Sequence, residues 1–443
     1  MHRVFPGIWL SGRGIWWLLA VALIVALTGV LPAYLPIALL AGTVYVALVA
    51  ADLVLGPRAA AVGVRRGETD FVSLRRDAAL RYIVENRSRV AIHVEIFESP
   101  VDAFVFDRET ITLRVAPRTF VEAVARFCPR ERGLVRLSAV YVRLENLLGF
   151  LTRRYRIDLG EEIRVFPDLT AVEQYGRLAR RTTLIESGLR KMRLRGAGTE
   201  FESLREYLPG DAFRQVNWKA TARHGQMMVE QYEIERSQNV LLLLDAGRLM
   251  TPRIGPQRKF DYALTAALSI AQIAQAAGDN VGLTAFAAKP LLAIAPRRGA
   301  AHVGVLTRAA YDLQPRLEEP DYETAFTRLK QSNSKRSLIV LFTDMFDPAA
   351  SAAVLAGLAA LVPRHLVMCV LMNDEAIGRA LDEIPATPRD AYRAAVALAL
   401  VAERERAIAT LRARGIIVVD VAAPKLTVAL LDAYLDVKAR GLL

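Results

Sequence analysis

Carboxylates that follow strand-like apolar runs are the first candidates for chemistry in this chain. Asp245 closes the run 240–245, Thr343 and Asp344 close 337–344, and Asn373 and Asp374 follow 365–372. Acids in such places can hold a cation, accept a proton or receive a partner's basic group. A second set, Glu206, Asp211 and His224, could support hydrolysis together with Asp344, although nothing in the spacing brings the four together. The signatures that would fix a reaction are missing. There is no GxxxxGK[ST] loop to cradle phosphate, no HExxH zinc helix and no GxSxG elbow. Arg195-Gly196-Ala197-Gly198 contains a GxG, but it opens no Rossmann unit and lacks the third glycine. His2, His93, His224, His302 and His365 stand at no metal-ligand spacing, and His93 reads as a structural side chain inside a strand. Cys128 and Cys369 are too far apart for a disulfide framework or a cysteine zinc site, a usage that fits a reducing compartment. No enzyme is expected, and no cofactor.

The elements that must position these residues change character along the chain. From residue 239 onward, apolar runs at 240–245, 281–287, 337–343, 365–372 and 416–421 alternate with helical stretches at 259–277, 300–313, 322–331, 349–361, 389–414 and 425–438. Apolar strands joined by helices predict a doubly wound, mostly parallel sheet covered on both faces. Ligands of such sheets gather beyond the carboxyl ends of the strands, where Asp245 and Asp344 fall. Residues 60–165 read differently. Short runs at 79–86, 91–98, 110–115, 120–127, 135–144 and 163–166, separated by turn residues, predict a β-sandwich over 58–168.

The N-terminus rules out a wholly soluble protein. In a chain of 443 residues, the 38 between Arg13 and Asp52 carry no charge at all. Residues 14–31 and 35–51 are each long enough to approach a membrane crossing at about 1.5 Å per residue, and Pro32 and Pro36 break the helix between them. Trp16 and Trp17 sit where indoles favour the headgroup level. Arg3 and Arg13 precede the pair, and Arg58, Arg65 and Arg66 follow it. The positive-inside rule then predicts a two-pass anchor over 1–57 in an inner (plasma) membrane, with both termini and every soluble domain cytoplasmic. A cleaved signal peptide fits poorly, because a second apolar run follows the first directly.

The net charge of +12 suits nucleic acid or an anionic membrane face equally well. The basic residues are dispersed or close to the membrane segment, and no recognition module is readable, so the bilayer is the expected partner and nucleic acid is not. Over 169–195 a basic helix is expected, with Arg177, Arg180, Arg181, Arg190, Lys191, Arg193 and Arg195 opposed only by Glu186 across 177–195. Lipid heads, an acidic partner or solvent could face it.

Residues 195–236 mix arginines, acids and aromatics. Arg205, Arg214 and Arg223 recur every nine residues with acids or amides nearby, as in an ion-pair network between packed elements. The ordered set Gly196, Gly198, Glu200-Phe201, Arg205-Glu206-Tyr207, Gly210-Asp211, Arg214, Asn217-Trp218-Lys219 and Ala222-Arg223 resembles the signature of the bacterial "domain of unknown function 58" family. The apolar hairpin, the β-rich middle with Arg132-Gly133 and Leu148-Gly149-Phe150, and the α/β end are similar to that family's layout, so the resemblance extends over nearly the whole chain. It implies a multi-domain protein: an anchor over 1–57, a sandwich over 58–168, a basic linker and signature over 169–238, and a von Willebrand factor A-like domain over 239–443. It also implies association with a MoxR-type AAA+ ATPase, and it supplies no reaction.

Many domains of that A-like kind hold magnesium on an Asp-x-Ser-x-Ser loop, a threonine and a further aspartate. By this resemblance Asp245 and Asp344 are the two acids, and Thr324 or Asp321 comes from the second loop. The serine positions are Gly247 and Leu249, which offer no side-chain oxygen. A degenerate, metal-free site is therefore expected, with the Arg248 guanidinium near Asp245 or Asp344 or else turned to solvent. The leading functional reading is an interaction protein that presents Asp245, Arg248, Thr343 and Asp344 to a partner in protein assembly, envelope or stress processes. A membrane-bound hydrolase is the alternative.

Overall fold

In the computed structural model, alternation of apolar and polar residues builds the first strands. Along β4 (Ala78–Asn86) Leu80, Tyr82 and Val84 are buried while Ala79 and Arg81 face outward, the period-two pattern of a half-buried strand. The described residues are 3–57, 61–67, 69, 71–99, 101–108, 110–169, 200–208, 211, 213, 216–233, 238–345, 348–373, 375–382 and 384–442. They form two units, Met1–Phe166 and Pro167–Leu443. The expected basic helix over 169–195, with Gly196, Gly198, Gly210 and Arg214 of the signature, lies outside the described residues except for Leu169.

In the first unit, β1 (Arg3–Leu10), β3 (Phe71–Ser73), β5 (Ile92–Glu98), β7 (Thr110–Val115), β9 (Gly133–Glu145) and β10 (Leu151–Phe166) form one sheet in the order β1-β10-β9-β5-β7, with β3 parallel to the end of β10. The strands β2 (Val62–Arg66), β4, β6 (Phe104–Phe106) and β8 (Phe120–Pro129) form a second sheet in the order β2-β4-β8-β6. Side chains of both sheets, among them Tyr82, Val94, Phe127, Leu137 and Leu144, share one buried core, so the unit is a sandwich. The strand expected at 163–166 is only the end of β10.

Besides the short strands β2, β3 and β6, two features of this unit went unread in the sequence. Residues 3–10, assigned to the anchor, are a strand that pairs antiparallel with β10 from Arg3↔Ile157 to Leu10↔Leu151. Its partner is about 150 residues away, and Pro6 and Gly7 within it are poor strand formers. The helices α1 (Gly12–Thr28) and α2 (Leu35–Leu55) then follow, separated by a 3-10 turn at Pro32–Tyr34. The segment Pro32–Leu55 is the one helix among the described residues long and apolar enough to cross a membrane; α1 is a shorter apolar helix. The Tyr45 hydroxyl donates to the Gly14 carbonyl at 3.0 Å.

The second feature is a clasp. Asp52 lies on the last turn of apolar α2, yet it is fully buried. Its carboxylate accepts the backbone N–H groups of Leu148 at 2.7 Å, Phe150 at 2.9 Å and Leu151 at 2.8 Å. The Asn146 amide donates to the Asp52 carbonyl at 2.9 Å. The turn between β9 and β10 also takes the start of α1, because the Ser11 hydroxyl donates to Gly149 O at 2.5 Å and Ser11 N–H to Phe150 O at 2.8 Å. A charge so close to an apolar helix is tolerable only when its oxygens are this fully hydrogen-bonded.

The second unit opens with β11 (Glu200–Glu206), α3 (Trp218–His224) and β12 (Met228–Glu233), the two strands pairing antiparallel. The main sheet follows: β13 (Asn239–Asp245), β16 (Asn280–Phe286), β17 (Pro290–Arg297), β18 (Ser337–Phe342), β19 (Leu366–Asn373) and β20 (Ile417–Ala422). A two-residue hairpin, β14 (Arg253–Ile254) with β15 (Gln257–Arg258), precedes the first long helix. The order is β17-β16-β13-β18-β19-β20, and every neighbouring pair is parallel except the edge strand β17, which runs antiparallel to β16. β17 was not expected from the sequence, nor was α8 (Glu375–Asp382).

Helices cover both faces. Val240, Leu242 and Leu244 of β13 share a core with α4 (Lys259–Ala276) and α10 (Leu426–Arg440), and α5 (Ala300–Ala310) adds Leu306. Leu241 and Leu243 face the other way, toward α6 (Tyr322–Ser332), α7 (Pro348–Ala359) and α9 (Pro388–Ala413), through Phe326, Leu358 and Leu411. That double burial is why β13 and β18 are apolar without alternation.

Candidate functional site

β13 lies between β16 and β18 in the sheet, and the chain goes from β13 to β16 on one side and returns from β17 to β18 on the other, so the carboxyl ends of β13 and β18 are where a ligand of such a sheet would gather. Asp245 is the last residue of β13, and Thr343-Asp344 directly follow β18. All three side chains are buried. The Asp245 carboxylate accepts the Gly247 N–H at 2.7 Å on Oδ1, and on Oδ2 the hydroxyls of Tyr322 at 2.6 Å and Thr343 at 2.7 Å. Burial pushes the Asp245 carboxyl above its ordinary range, and its three hydrogen bonds pull in the opposite direction.

Asp344 is held by two cations. Lys259 Nζ lies 2.6 Å from Oδ2 and Arg404 Nη1 2.5 Å from Oδ1, while the Met345 N–H also donates to Oδ1 at 2.9 Å. Arg404 reaches on through Nη2 to Asp420 at 2.7 Å. Burial draws the Arg404 guanidinium down, and Asp344 and Asp420 more than reverse this, so its proton is held more tightly than usual. Cys369 lies fully buried in β19, and burial pushes its thiol up to about 12.

A magnesium ion does not fit these residues. It needs about six oxygens in a tight octahedron, but both Asp344 oxygens already face side-chain cations. Gly247 cannot regain a serine in place, since a Cβ there would lie 2.7 Å from Pro320 Cδ and 3.0 Å from Asp245 Oδ1. Among the described residues no three His, Cys, Asp or Glu side chains gather as a metal cluster.

The candidate residues fall in different places. Arg248 turns away from both acids: its Nε pairs with Glu319, and its side chain is partly exposed. Asp321 caps α6 through the Thr324 N–H at 2.9 Å, and the residue between them in this loop that bonds Asp245 is Tyr322. Asp374 lies outside the described residues. Glu206, Asp211 and His224 belong to the β11–α3–β12 segment, and no hydrogen bond joins them to Asp344 among the described residues.

Sequence reading missed Lys259, Tyr322, Arg404 and Asp420. Lys259 opens a helix and Arg404 stands in the run Glu403-Arg404-Glu405-Arg406, both of which look like solvated charge. Only packing buries them.

The signature segment is braced by its own ion pair. Arg205 grips Asp211 with two bonds, Nη1 to Oδ2 at 2.7 Å and Nη2 to Oδ1 at 2.6 Å, and Asp211 also accepts the Leu208 N–H at 2.8 Å. This pairing lowers the Asp211 carboxyl from its usual range. Asn217 caps α3 through the Ala220 N–H at 2.9 Å and donates to Glu230 at 2.6 Å. Tyr207, Phe213 and Trp218 make successive edge or tilted ring contacts, with centroids 6.5 and 5.7 Å apart, and Phe213 and Trp218 remain largely exposed. Lys219 and Arg223 are exposed beside them.

Residues 203–385 match the family model described as "Protein of unknown function DUF58". That stretch runs from β11 past α8 and contains Asp245, Lys259, Tyr322, Thr343 and Asp344, but neither Arg404 nor Asp420. Uncharacterized protein Rv1480 of Mycobacterium tuberculosis and Uncharacterized protein Mb1516 of Mycobacterium bovis are each 25% identical over 181 residues, 40% of this chain and 56% of their own. Uncharacterized protein YeaD of Bacillus subtilis is 30% identical over 114 residues, 26% of this chain and 28% of its own. The chain thus spans a little over half the length of the mycobacterial relatives it matches.

Proposed function

We propose that this chain is a membrane-anchored, cytoplasm-facing interaction protein whose C-terminal unit is a von Willebrand factor A-like domain with internal cations where others of its kind carry a metal. The observation that carries the reading is the double pairing of Asp344 by Lys259 and Arg404. With Asp344 paired to two cations and the Asp245 oxygens committed to Gly247, Tyr322 and Thr343, the strand ends offer a stable surface and little for a substrate to react with. The sheet order, with one antiparallel edge strand, suits the A-like assignment.

Anchoring is supported by β1. It precedes α1, its partner β10 follows α2, and the two strands share a sheet. That places both flanks of the helix pair on one side of any membrane, which supports a crossing by α1 and α2 together as a hairpin. The arginines on both flanks support a cytoplasmic placement of that side by the positive-inside rule.

The partner implied by the family resemblance is a MoxR-type AAA+ ATPase, acting in protein assembly or envelope and stress processes. Since Asp245, Thr343 and Asp344 are buried, its contacts fall on Arg248 at the rim and on the exposed aromatics of the signature. Affinity capture of the full chain from detergent-solubilised native membranes, with and without ATP, tests this. Enrichment of an AAA+ ATPase, lost in a Phe213→Ser/Trp218→Ser chain, is the expected result; capture without any ATPase in either nucleotide state overturns it.

A further inference from the structure

The turn that clasps the helix pair carries two leucines that are partly open to the surroundings. Leu147 and Leu148 are exposed, Leu147 at 49%. The Leu148 N–H bonds the Asp52 carboxylate at 2.7 Å, so Leu148 sits at the depth of Asp52 along α2. Asp52 is three residues inside the end of α2, about 4.5 Å at the helical rise, and Val54, beyond it on the sandwich side, is apolar and 77% exposed. With α2 in the bilayer, the exposed Leu53, Val54 and Leu55 of its last turn and these leucines share one level.

The other helix sets that level. α1 has 17 residues and spans about 26 Å, short of a hydrocarbon core of about 30 Å. A short helix draws its flanking residues into the interface. Those flanks are Ile8, Trp9 and Leu10, all exposed, on the edge strand β1 within about 13 Å of the helix start. The exposed Arg154 guanidinium stands over the Trp9 ring, 5.4 Å from its centroid.

We infer that the end of β1 and the β9–β10 turn form a lipid seat: Ile8, Trp9, Leu10, Leu147 and Leu148 insert at the boundary between headgroups and acyl chains, while Arg154 meets an anionic lipid phosphate. The inference rests on the membrane reading above. It adds that the sandwich is embedded at its base, held there by the clasp at Asp52, and does not hang from the helices on a linker. A tryptophan under a guanidinium at the headgroup level, beside aliphatic side chains, is the chemistry of an interfacial anchor for anionic lipid.

The test uses the full chain with Trp16→Phe, Trp17→Phe and Trp218→Phe, so that Trp9 is the only tryptophan, reconstituted into phosphatidylcholine vesicles with one quarter phosphatidylglycerol. Trp9 emission is expected to be quenched by lipids brominated near the glycerol end of the acyl chain, and to resist aqueous acrylamide. Replacing phosphatidylglycerol by phosphatidylcholine should shift the emission to the red, and Arg154→Gln should abolish that response. Chains that float with the vesicles but whose Trp9 is quenched by acrylamide as freely as tryptophan in water overturn the seat and leave the anchor standing. Failure to float overturns the anchor itself. Shielding of Trp9 from both quenchers, with chains cross-linked in pairs through β1, assigns the edge to a second copy and also refutes the seat.

Discussion

Lys259→Met removes the ammonium from Asp344 and keeps an apolar stem of similar length. Lys259 is 4% exposed and Asp344 1%, so water does not take the place of the lost 2.6 Å contact. Truncating one partner of a buried pair costs about 3–5 kcal/mol, because the other charge stays behind. Arg404 remains on Oδ1, which puts the expectation near about 3 kcal/mol. At about 2–4 °C per kcal/mol for a unit of this size, the melting temperature falls by about 6–12 °C. Differential scanning fluorimetry of the full chain in detergent reads this directly. The double variant Lys259→Met/Asp344→Leu removes the stranded carboxylate and leaves Arg404 on Asp420, so it should melt above the single variant. The same assay tests the metal. An ion bound at a hundredth of its applied concentration stabilises by about 2.7 kcal/mol, or about 5–11 °C here. Magnesium in the millimolar range is expected to leave the wild-type melting temperature unchanged. A rise of that size, abolished by Asp245→Ala, refutes the internal-cation reading; so does a Lys259→Met chain that melts with the wild type.

Further outcomes follow from other sites. Asp245 titrates above its ordinary range when folded, so its ionisation costs stability increasingly as pH climbs past the unfolded value of about 3.9. Asp245→Asn removes that dependence, and the melting gap between variant and wild type should narrow from acid to neutral pH; a constant gap contradicts the burial effect. With its thiol pushed up to about 12, Cys369 should resist iodoacetamide at neutral pH until the chain is denatured, whereas the half-buried Cys128 should react in the folded protein, as intact-mass spectrometry would reveal. Asp52→Leu strands three backbone N–H groups at about 1–3 kcal/mol each, so the first unit should lose about 3 kcal/mol or more, measured by chemical denaturation in detergent. Arg205→Lys keeps the charge but not the two-point grip on Asp211, and limited proteolysis should cut the signature turn faster than in the wild type.

The sequence by itself determined the layout. The uncharged run from 14 to 51, the period-two pattern of 79–86 and the solid apolar runs at 240–245 and 337–343 each record how much of a segment is hidden from water, and that is a local property of composition. The carboxylates at the strand ends were legible for the same reason, because an acid after an unbroken apolar strand has to emerge at the sheet's rim. What closes around them was not. Lys259 lies 85 residues from Asp344 and Arg404 another 60, and a charged residue at a helix start or among glutamates has the same local pattern whether it meets solvent or a buried acid. Arg248, three residues after the first acid, went to Glu319, and the charge came from α4 and α9. β1 was hidden likewise, since a strand with proline and glycine declares itself only when an edge is there to accept it. Long-range pairing of charges and of strand edges depends on which surfaces the fold brings together, so tertiary structure alone decided it.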